Sequence, residues 1–416
     1  MSGSLGERIA AAIGRDGPWP FSRFMEAALY HPEGGFFSRP GGGAGRAGAD
    51  FVTSPEVGPL FGALVARALD GFWARLGAPD PFVVVEAGAG TGRLAREVLR
   101  ARPRCGPALR YVLVERSVAL RAAQAELLDL EPPEIAGGPV EPGEPGEDAE
   151  PVPGCGPILT SLDSLPGTGA VDGVILANEL LDNLPFDLLE RTTDGGWAEV
   201  RVGSGSTAGR GSGHSEDSPG RPDPSRPHRG DLREVLVPAS PDLVAAADEL
   251  VAGHRVPAGA RIAVPRGVDA WIAAAASALR RGWVVLVDYG APLAELLDRG
   301  PGGWLRTYAG HRRGGHPLER PGEQDITADV ATEAVQRAAH RAGLTLESDT
   351  TQAAWLAGLG IDDLVAEGRV TWEEGAARPD LEALAGRSRV NEAAALTDPS
   401  GLGAHRVWVL GRRPSR

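Results

Sequence analysis

The chain of 416 residues contains no lysine, so all 42 of its basic side chains are arginines. With 56 aspartates and glutamates, its formal net charge is −14. Proteins that bind nucleic acid in general need a basic face that neutralises phosphates. The acidic balance therefore argues against a nucleic-acid-binding protein, although it leaves room for a basic protein segment as a partner.

Cysteine is also scarce. Cys105 and Cys155 are the only two, and they form no Cys-x-x-Cys pair, which excludes a disulfide framework and a cysteine zinc site. The histidines lack the close spacing of metal-ligand pairs, so we predict no metal. We expect a cytoplasmic protein without a signal peptide or membrane span, because no apolar run approaches about 20 residues.

Glycines are abundant where one apolar run ends. Residues 82–85 are apolar and mostly β-branched, and this short run predicts a buried strand rather than a helix. The run ends in Glu86 and passes into a segment in which every second residue is glycine. A helix is predicted directly afterwards, over residues 94–100. The alternating glycines are Gly88, Gly90 and Gly92.

A strand, a glycine turn and a helix in this order are typical of a nucleotide-cofactor loop. Glycine leaves room for a ligand against the backbone, and the helix N-terminus offers free N–H groups. Dinucleotide loops carry Gly-x-Gly-x-x-Gly, but here Arg93 stands where the third glycine belongs. The spacing favours S-adenosylmethionine over NAD, and we predict that Glu86 and the three glycines bind it.

A second acid supports this interpretation. Residues 111–114 form another apolar strand pattern, and Glu115 follows at its carboxyl end. A carboxylate in that position can bind the two hydroxyl groups of a ribose, as in dinucleotide sites. We therefore predict Glu115 as a cofactor contact. The alternative is a structural βαβ turn with a solvated glutamate.

Residues 178–185 are a polar loop that follows the predicted fourth strand, 171–177. Ligands of open α/β sheets bind at the carboxyl ends of the strands. Pro185 limits a helix here to about one turn, on which Glu179 and Asp182 would share a face. Carboxylates can hold an arginine guanidinium in bidentate geometry and accept its proton.

We predict that Asn178, Glu179 and Asp182 face the methyl acceptor. The alternative is that these side chains only satisfy the backbone of the loop. For Asp288, at the end of the predicted fifth strand 283–288, a turn role and a functional role are equally open.

The order of the predicted elements indicates an α/β protein. Near-continuous apolar strands predict a parallel core sheet covered on both faces, whereas alternating patterns at 186–202 and 232–238 predict an antiparallel accessory region. Two segments rich in Gly, Pro and polar residues predict disorder. We predict an N-terminal helical region with a cofactor-covering loop over 1–80, a core over 81–185 and 260–416, an accessory insertion over 186–259 with disorder at 203–230, and a second disordered insertion over 131–157.

Four separated motifs in the right order resemble the MidA family of class I methyltransferases, which includes the mitochondrial complex I assembly factor 7 type of protein arginine methyltransferase. The motifs are Leu29-Tyr30-His31-Pro32-Glu33-Gly34-Gly35-Phe36-Phe37, Asp50-Phe51-Val52-Thr53-Ser54-Pro55-Glu56, Asn178-Glu179-Leu180-Leu181-Asp182-Asn183-Leu184-Pro185 and Asp288-Tyr289-Gly290.

This resemblance implies a Rossmann-like sheet of about seven strands with an added region, and S-adenosyl-L-methionine as the methyl donor. It also implies that Thr53, Ser54 and Glu56 lie over the cofactor. In the mitochondrial branch of the family the acceptor is an arginine of a respiratory complex I subunit. Our leading hypothesis is methylation of a protein arginine, and the alternatives are a small-molecule acceptor or an assembly protein that binds the cofactor without catalysis.

Overall fold

The structure is a computed structural model that describes residues 3–39, 53–141, 150–205, 232–310, 312–375 and 380–412. The chain forms two compact units. The core unit consists of Pro40–Leu184, Gly267–Leu293 and Ala328–Arg416. The accessory unit consists of Met1–Arg39, Pro185–Arg266 and Ala294–Thr327.

The core unit contains a seven-stranded sheet. Its strands in chain order are β1 Phe82–Ala87, β2 Leu109–Val114, β3 Ile158–Leu162, β4 Val171–Asn178, β5 Leu279–Asp288, β6 Thr345–Thr351 and β7 Arg406–Arg412. In the sheet they lie in the order β3-β2-β1-β4-β5-β7-β6. Strands β1 to β5 are parallel, and β7 runs antiparallel to both of its neighbours. The predicted α/β sheet of about seven strands is confirmed.

Successive side chains of the apolar strands point to opposite faces of this sheet, and both faces are buried. Val84 belongs to one buried cluster with side chains of the helices Pro59–Arg75 and Arg93–Arg100. Val85 belongs to a second cluster with side chains of Arg266–Ala278 and Thr332–Arg341. Burial on both faces is what the near-continuous apolar runs predicted.

The remaining elements of the core unit are helices and short turns. The helices that complete it are Ser54–Val57, Val118–Leu127, Gln352–Gly358, Ile361–Gly375 and Leu381–Thr397, and the 3-10 turns are Gly106–Ala108, Pro133–Ile135, Leu181–Asn183 and Leu402–Ala404. Gly290–Ala291 pairs with Val330–Ala331 in a small parallel ladder. Within the insertion predicted to be disordered, Val140–Glu141 pairs with Glu150–Pro151, and residues 142–149 lie outside the described part of the chain.

The accessory unit is built on an antiparallel sheet. Asp187–Arg191 pairs with Trp197–Ser204 and with Arg261–Val264, while Trp197–Ser204 also pairs with Leu232–Pro238 and with Trp19–Pro20. Residues 206–231, which hold most of the segment predicted to be disordered, lie outside the described residues. The other elements are the helices Leu5–Asp16, Phe21–Tyr30, Pro241–Leu250, Leu293–Arg299 and Pro301–Trp304, the 3-10 turn Phe36–Ser38, and the strands Leu305–Ala309, Arg312–Arg313 and Asp325–Ala328.

The division of the chain differs from the predicted boundaries. Residues 1–39, 260–266 and 294–327 group with the accessory sheet, whereas the sequence placed the first segment in an N-terminal region and the other two in the core. Residues 53–80, predicted as part of the N-terminal region, group with the core unit. The difference arises because these segments pack by tertiary contacts that are not local in sequence. Phe21, for example, lies 5.3 Å from Phe186 between ring centroids.

The described ranges contain neither a membrane-spanning helix nor a metal-binding cluster of side chains. Among the helices there, none is long and apolar enough to cross a membrane. Within the same ranges, no group of three or more His, Cys, Asp or Glu side chains could hold a metal ion.

Two glycines of one helix provide a matched test of this packing. A Cβ at Gly62 would lie 2.4 Å from the Cβ of Glu97, whereas a Cβ at Gly71 would have no heavy atom within 4 Å in the part of the chain that the structure describes. We expect Gly62→Ala to lower the free energy of unfolding by about 2 kcal/mol through overpacking. Gly71→Ala should raise it by about 0.5–1 kcal/mol through helix propensity. Urea unfolding of both variants checks this, and equal effects would contradict the described packing.

Candidate functional site

Strand order reverses at the centre of the sheet, between β1 and β4. Ligands of open α/β sheets bind at such a switch point, beyond the carboxyl ends of the strands. The glycine loop, residues 88–92, follows β1, and the acidic loop, residues 179–184, follows β4. A Cβ at Gly88 would lie 3.1 Å from the Cδ1 of Leu180, so the two loops lie against each other.

The glycine loop has the backbone geometry that its sequence predicted. Gly88, Gly90 and Gly92 have φ angles of 68°, 53° and 81°, which non-glycine residues rarely adopt. The backbone N–H groups of Gly88 and Ala89 donate to the carbonyl of Val114 at 2.9 and 3.1 Å. A Cβ at Gly90 would meet no heavy atom of the described residues within 4 Å. The loop is therefore held to β2 on one side and has open space at Gly90.

Glu115 shapes this loop from the end of β2. Its Oε2 accepts from the backbone N–H of Gly90 at 3.1 Å, and its Oε1 accepts from the N–H of Ser117 at 2.8 Å. Burial raises the pKa of Glu115, and the two N–H donors oppose that rise. The side-chain amide of Gln124 donates to the Gly90 carbonyl at 2.8 Å. Glu115 is therefore not a solvated glutamate, and its ribose contact stays a prediction.

Glu86 is buried in the core unit. Its Oε2 accepts from the Tyr111 hydroxyl at 2.7 Å, and the backbone N–H of Ala95 donates to the same carboxyl group. Burial is the largest cause that raises the pKa of Glu86 to about 7. Glu86 thus joins β1 to β2 and to the helix that follows the glycine loop, and a direct cofactor contact stays a prediction.

Glu179 has the most unusual environment in the acidic loop. Its φ of 51° is left-handed, and its backbone N–H donates to the Val287 carbonyl at 2.8 Å. Oε1 accepts from the N–H of Ser54 and from the side-chain amide of Asn178, each at 3.3 Å. Oε2 is buried and has no hydrogen-bond partner among the described residues.

Electrostatics sets the proton affinity of Glu179. Burial, and then the like charge of Asp182, raise its pKa to about 8, and Glu56 adds to the rise. Among the described residues, the two charges that raise this pKa both belong to carboxylates. Such a site binds a proton or a cation readily, since either one relieves the repulsion.

Asp182 is buried within the 3-10 turn Leu181–Asn183. A single turn before Pro185 was predicted and is observed. The prediction that Glu179 and Asp182 share a helical face is wrong, because the left-handed Glu179 precedes the turn and lies outside it. The two carboxylates still interact through their charges.

Asp288 holds the acidic loop in place. Its Oδ2 accepts from the backbone N–H groups of Leu180 and Leu181 at 2.9 and 2.6 Å, and its Oδ1 accepts from Tyr289 N–H at 2.8 Å. Burial raises the pKa of Asp288 well above its ordinary value, with Asp182 contributing next. These three contacts give Asp288 a scaffolding role, which its position at the end of β5 left open.

The structure describes the predicted cofactor-covering segment from Thr53 onward. The Oε2 of Glu56 accepts from the N–H of Thr53 at 3.2 Å. The Ser54 side chain is fully buried, and its hydroxyl donates to the Oε1 of Gln352 at 2.9 Å. The structure brings Ser54 to Glu179, and contact of this segment with the cofactor stays a prediction.

Comparison with known proteins decides the family. A family model described as S-adenosyl-L-methionine-dependent methyltransferase matches residues 64–349. The chain belongs to this family. The predicted MidA-type methyltransferase and its cofactor are confirmed.

Relatives and solved structures agree with this assignment. A Drosophila melanogaster homolog of the mitochondrial protein arginine methyltransferase NDUFAF7 is 31% identical over 50% of this chain, a match that spans 46% of that protein, less than half its length. The Danio rerio protein of the same name is 27% identical over 86% of this chain and 77% of its own length. A crystal structure from Burkholderia thailandensis, bound to S-adenosyl-homocysteine, superposes with a TM-score of 0.75 at 29% identity, covering 99% of this chain and 92% of that one.

The names of these relatives contradict the predicted cytoplasmic location, because the matched curated proteins are mitochondrial. The prediction rested on scarce cysteine and the absence of a long apolar run. A low cysteine count excludes a disulfide framework, but it does not discriminate between compartments that keep thiols reduced.

Glu86 provides a pH test of the site's architecture. Its pKa is about 7 in the folded chain, above the ordinary 4.5, so the unfolded chain loses this proton at lower pH. The protonated group therefore contributes full stability below about pH 4.5, and that contribution is lost as pH rises towards 7. Glu86→Gln has no such proton. We expect the free energy of unfolding of Glu86→Gln, minus that of the parent chain, to rise by about 3 kcal/mol from pH 4 to pH 8. Urea unfolding at both pH values measures this difference. A difference that does not change with pH would contradict a protonated Glu86.

Proposed function

We propose that this methyltransferase transfers a methyl group to an arginine side chain of a protein. The observation that carries the proposal is the buried Oε2 of Glu179, which has no partner among the described residues. It belongs to the loop packed against the glycine loop. An acceptor that fits this site donates a hydrogen bond and carries positive charge, and a guanidinium does both.

The residues around the glycine loop fit S-adenosylmethionine. Gly90 leaves open space, and Glu115 lies at the carboxyl end of β2 beside it. We propose that Gly88, Gly90, Gly92 and Glu115 hold the cofactor, and that Glu86 supports the loop. When bound, the cofactor supplies an electrophilic methyl group on a sulfonium sulfur.

The chain's own residues then have two tasks. The first is orientation, because a guanidinium held by carboxylates presents one nitrogen in line with the methyl group. The second is proton removal, because a guanidinium has a pKa above about 12 and is a poor nucleophile while protonated. As the nitrogen–carbon bond forms and the sulfur–carbon bond breaks, the nitrogen loses a proton to the carboxylate of Glu179. The pKa of Glu179, raised to about 8, leaves a minor ionised fraction at neutral pH, and the positive charge of a bound guanidinium increases that fraction.

The relatives support the choice of acceptor, since they are named protein arginine methyltransferases. The acidic chain, with its net charge of −14, favours association with a basic protein segment. A particular partner such as a respiratory complex I subunit stays a prediction.

Removing the proton acceptor tests the mechanism. We expect Glu179→Gln to lower kcat by about 10²–10⁴-fold, because the amide cannot accept the proton. Asp182→Asn should lower it less, since it changes only the charge beside Glu179. Methyl transfer to arginine peptides is measured with radiolabelled cofactor, and cofactor affinity by calorimetry should change less than about threefold. Glu373→Gln, an exposed acid of the helix Ile361–Gly375, is the matched control and should retain full activity.

The same assay separates the alternative functions. If Glu179→Gln were as active as the control, the proposed role of Glu179 would be wrong. Methylation in metabolite pools but not in peptides would favour a small-molecule acceptor. Cofactor binding by the parent chain without transfer to any acceptor would favour an assembly protein.

A further inference from the structure

Gln352 lies at the start of a hydrogen-bonded path that ends at Glu179. Its side chain is fully buried at the first position of the helix Gln352–Gly358, directly after β6. No motif of the sequence singled it out. A buried amide whose nitrogen and oxygen are both hydrogen-bonded has a fixed position in the core, because each lost hydrogen bond would leave a polar group unsatisfied.

Three bonds fix Gln352 itself. Its Nε2 donates to the Leu396 carbonyl at 3.0 Å, and its backbone N–H donates to the His405 carbonyl at 2.7 Å. Its Oε1 accepts from the Ser54 hydroxyl at 2.9 Å. Leu396 and His405 belong to the C-terminal part of the core unit, so Gln352 ties Ser54 to a region far from it in sequence.

Ser54 completes the path. While its hydroxyl is held by Gln352, its backbone N–H donates to the Oε1 of Glu179 at 3.3 Å. At that length a displacement of a few tenths of an ångström breaks the bond. The position of Ser54 therefore decides whether Glu179 keeps a backbone donor.

We propose that Gln352 is a positioning residue for methyl transfer, acting through Ser54 to hold a backbone N–H against the carboxylate of Glu179. This inference rests on the proposed function, in which Glu179 accepts the proton. Among the described residues, the carboxylates of Glu56, Asp182 and Asp288 face Glu179 and disfavour its ionised form. Loss of the N–H donor acts in the same direction as these charges.

The consequence is a change in the pH dependence of the reaction. The Ser54 N–H favours the ionised form of Glu179, and only the ionised form accepts a proton. Without that donor the carboxylate ionises at higher pH. Loss of the Gln352 side-chain amide should therefore shift the acid limb of the pH–rate profile to higher pH. The rate on the alkaline plateau should stay nearly unchanged.

The test is the pH profile of kcat/KM for an arginine peptide. We expect Gln352→Leu to move the acid limb upward by about one pH unit, with less than threefold change on the alkaline plateau. Gln336→Leu is the matched control. It removes an amide from the same unit, one that donates to Asp349 at 3.3 Å, and should leave the limb in place.

Ser54→Ala removes the other partner of the same bond and keeps the test valid if Gln352→Leu does not fold. It should move the limb in the same direction. The double variant should move it no further than either single variant, because both remove one interaction. An unmoved limb in a folded Gln352→Leu or Ser54→Ala variant, or additive shifts in the double variant, would overturn the inference. Full activity of Glu179→Gln would instead show that the proposed function itself has failed.

Discussion

The site depends on the parallel pairing of β1 with β4. Ala87 lies opposite Ala177 in this ladder, so the glycine loop and the acidic loop leave the sheet at adjacent positions and in the same direction. Neither loop would form a site alone. The glycine loop offers backbone donors and space, and the acidic loop offers carboxylates. Their adjacency follows from the reversal of strand order at the centre of the sheet.

The acidic loop is held in place because two of its backbone N–H groups donate to the buried carboxylate of Asp288. Asp288 accepts three N–H donors and thereby fixes the loop on which Glu179 and Asp182 lie. Burying several carboxylates together is unfavourable, and part of that cost remains as the raised pKa values of Glu179 and Asp288. A cationic acceptor would relieve the remaining repulsion, so the same arrangement that costs stability favours binding of a guanidinium.

The sequence predicted what depends on local pattern. The glycine spacing, the apolar strands and the acids at strand ends are periodic or adjacent features, and the structure has them where they were expected. The partners of those acids are distant in sequence and were missed. Tyr111 faces Glu86, Gln124 holds the glycine loop, and Gln352 reaches Ser54 across nearly 300 residues. The left-handed backbone of Glu179 also has no local signal, because glutamate rarely adopts it.

The most direct test of the account is a crystal structure of the chain with S-adenosyl-homocysteine and an arginine peptide. We expect this structure to show the ribose at Glu115, the sulfur between the glycine loop and the acidic loop, and a guanidinium nitrogen within hydrogen-bond distance of the Oε2 of Glu179. A cofactor bound away from residues 88–92, or an arginine that contacts neither Glu179 nor Asp182, would contradict it.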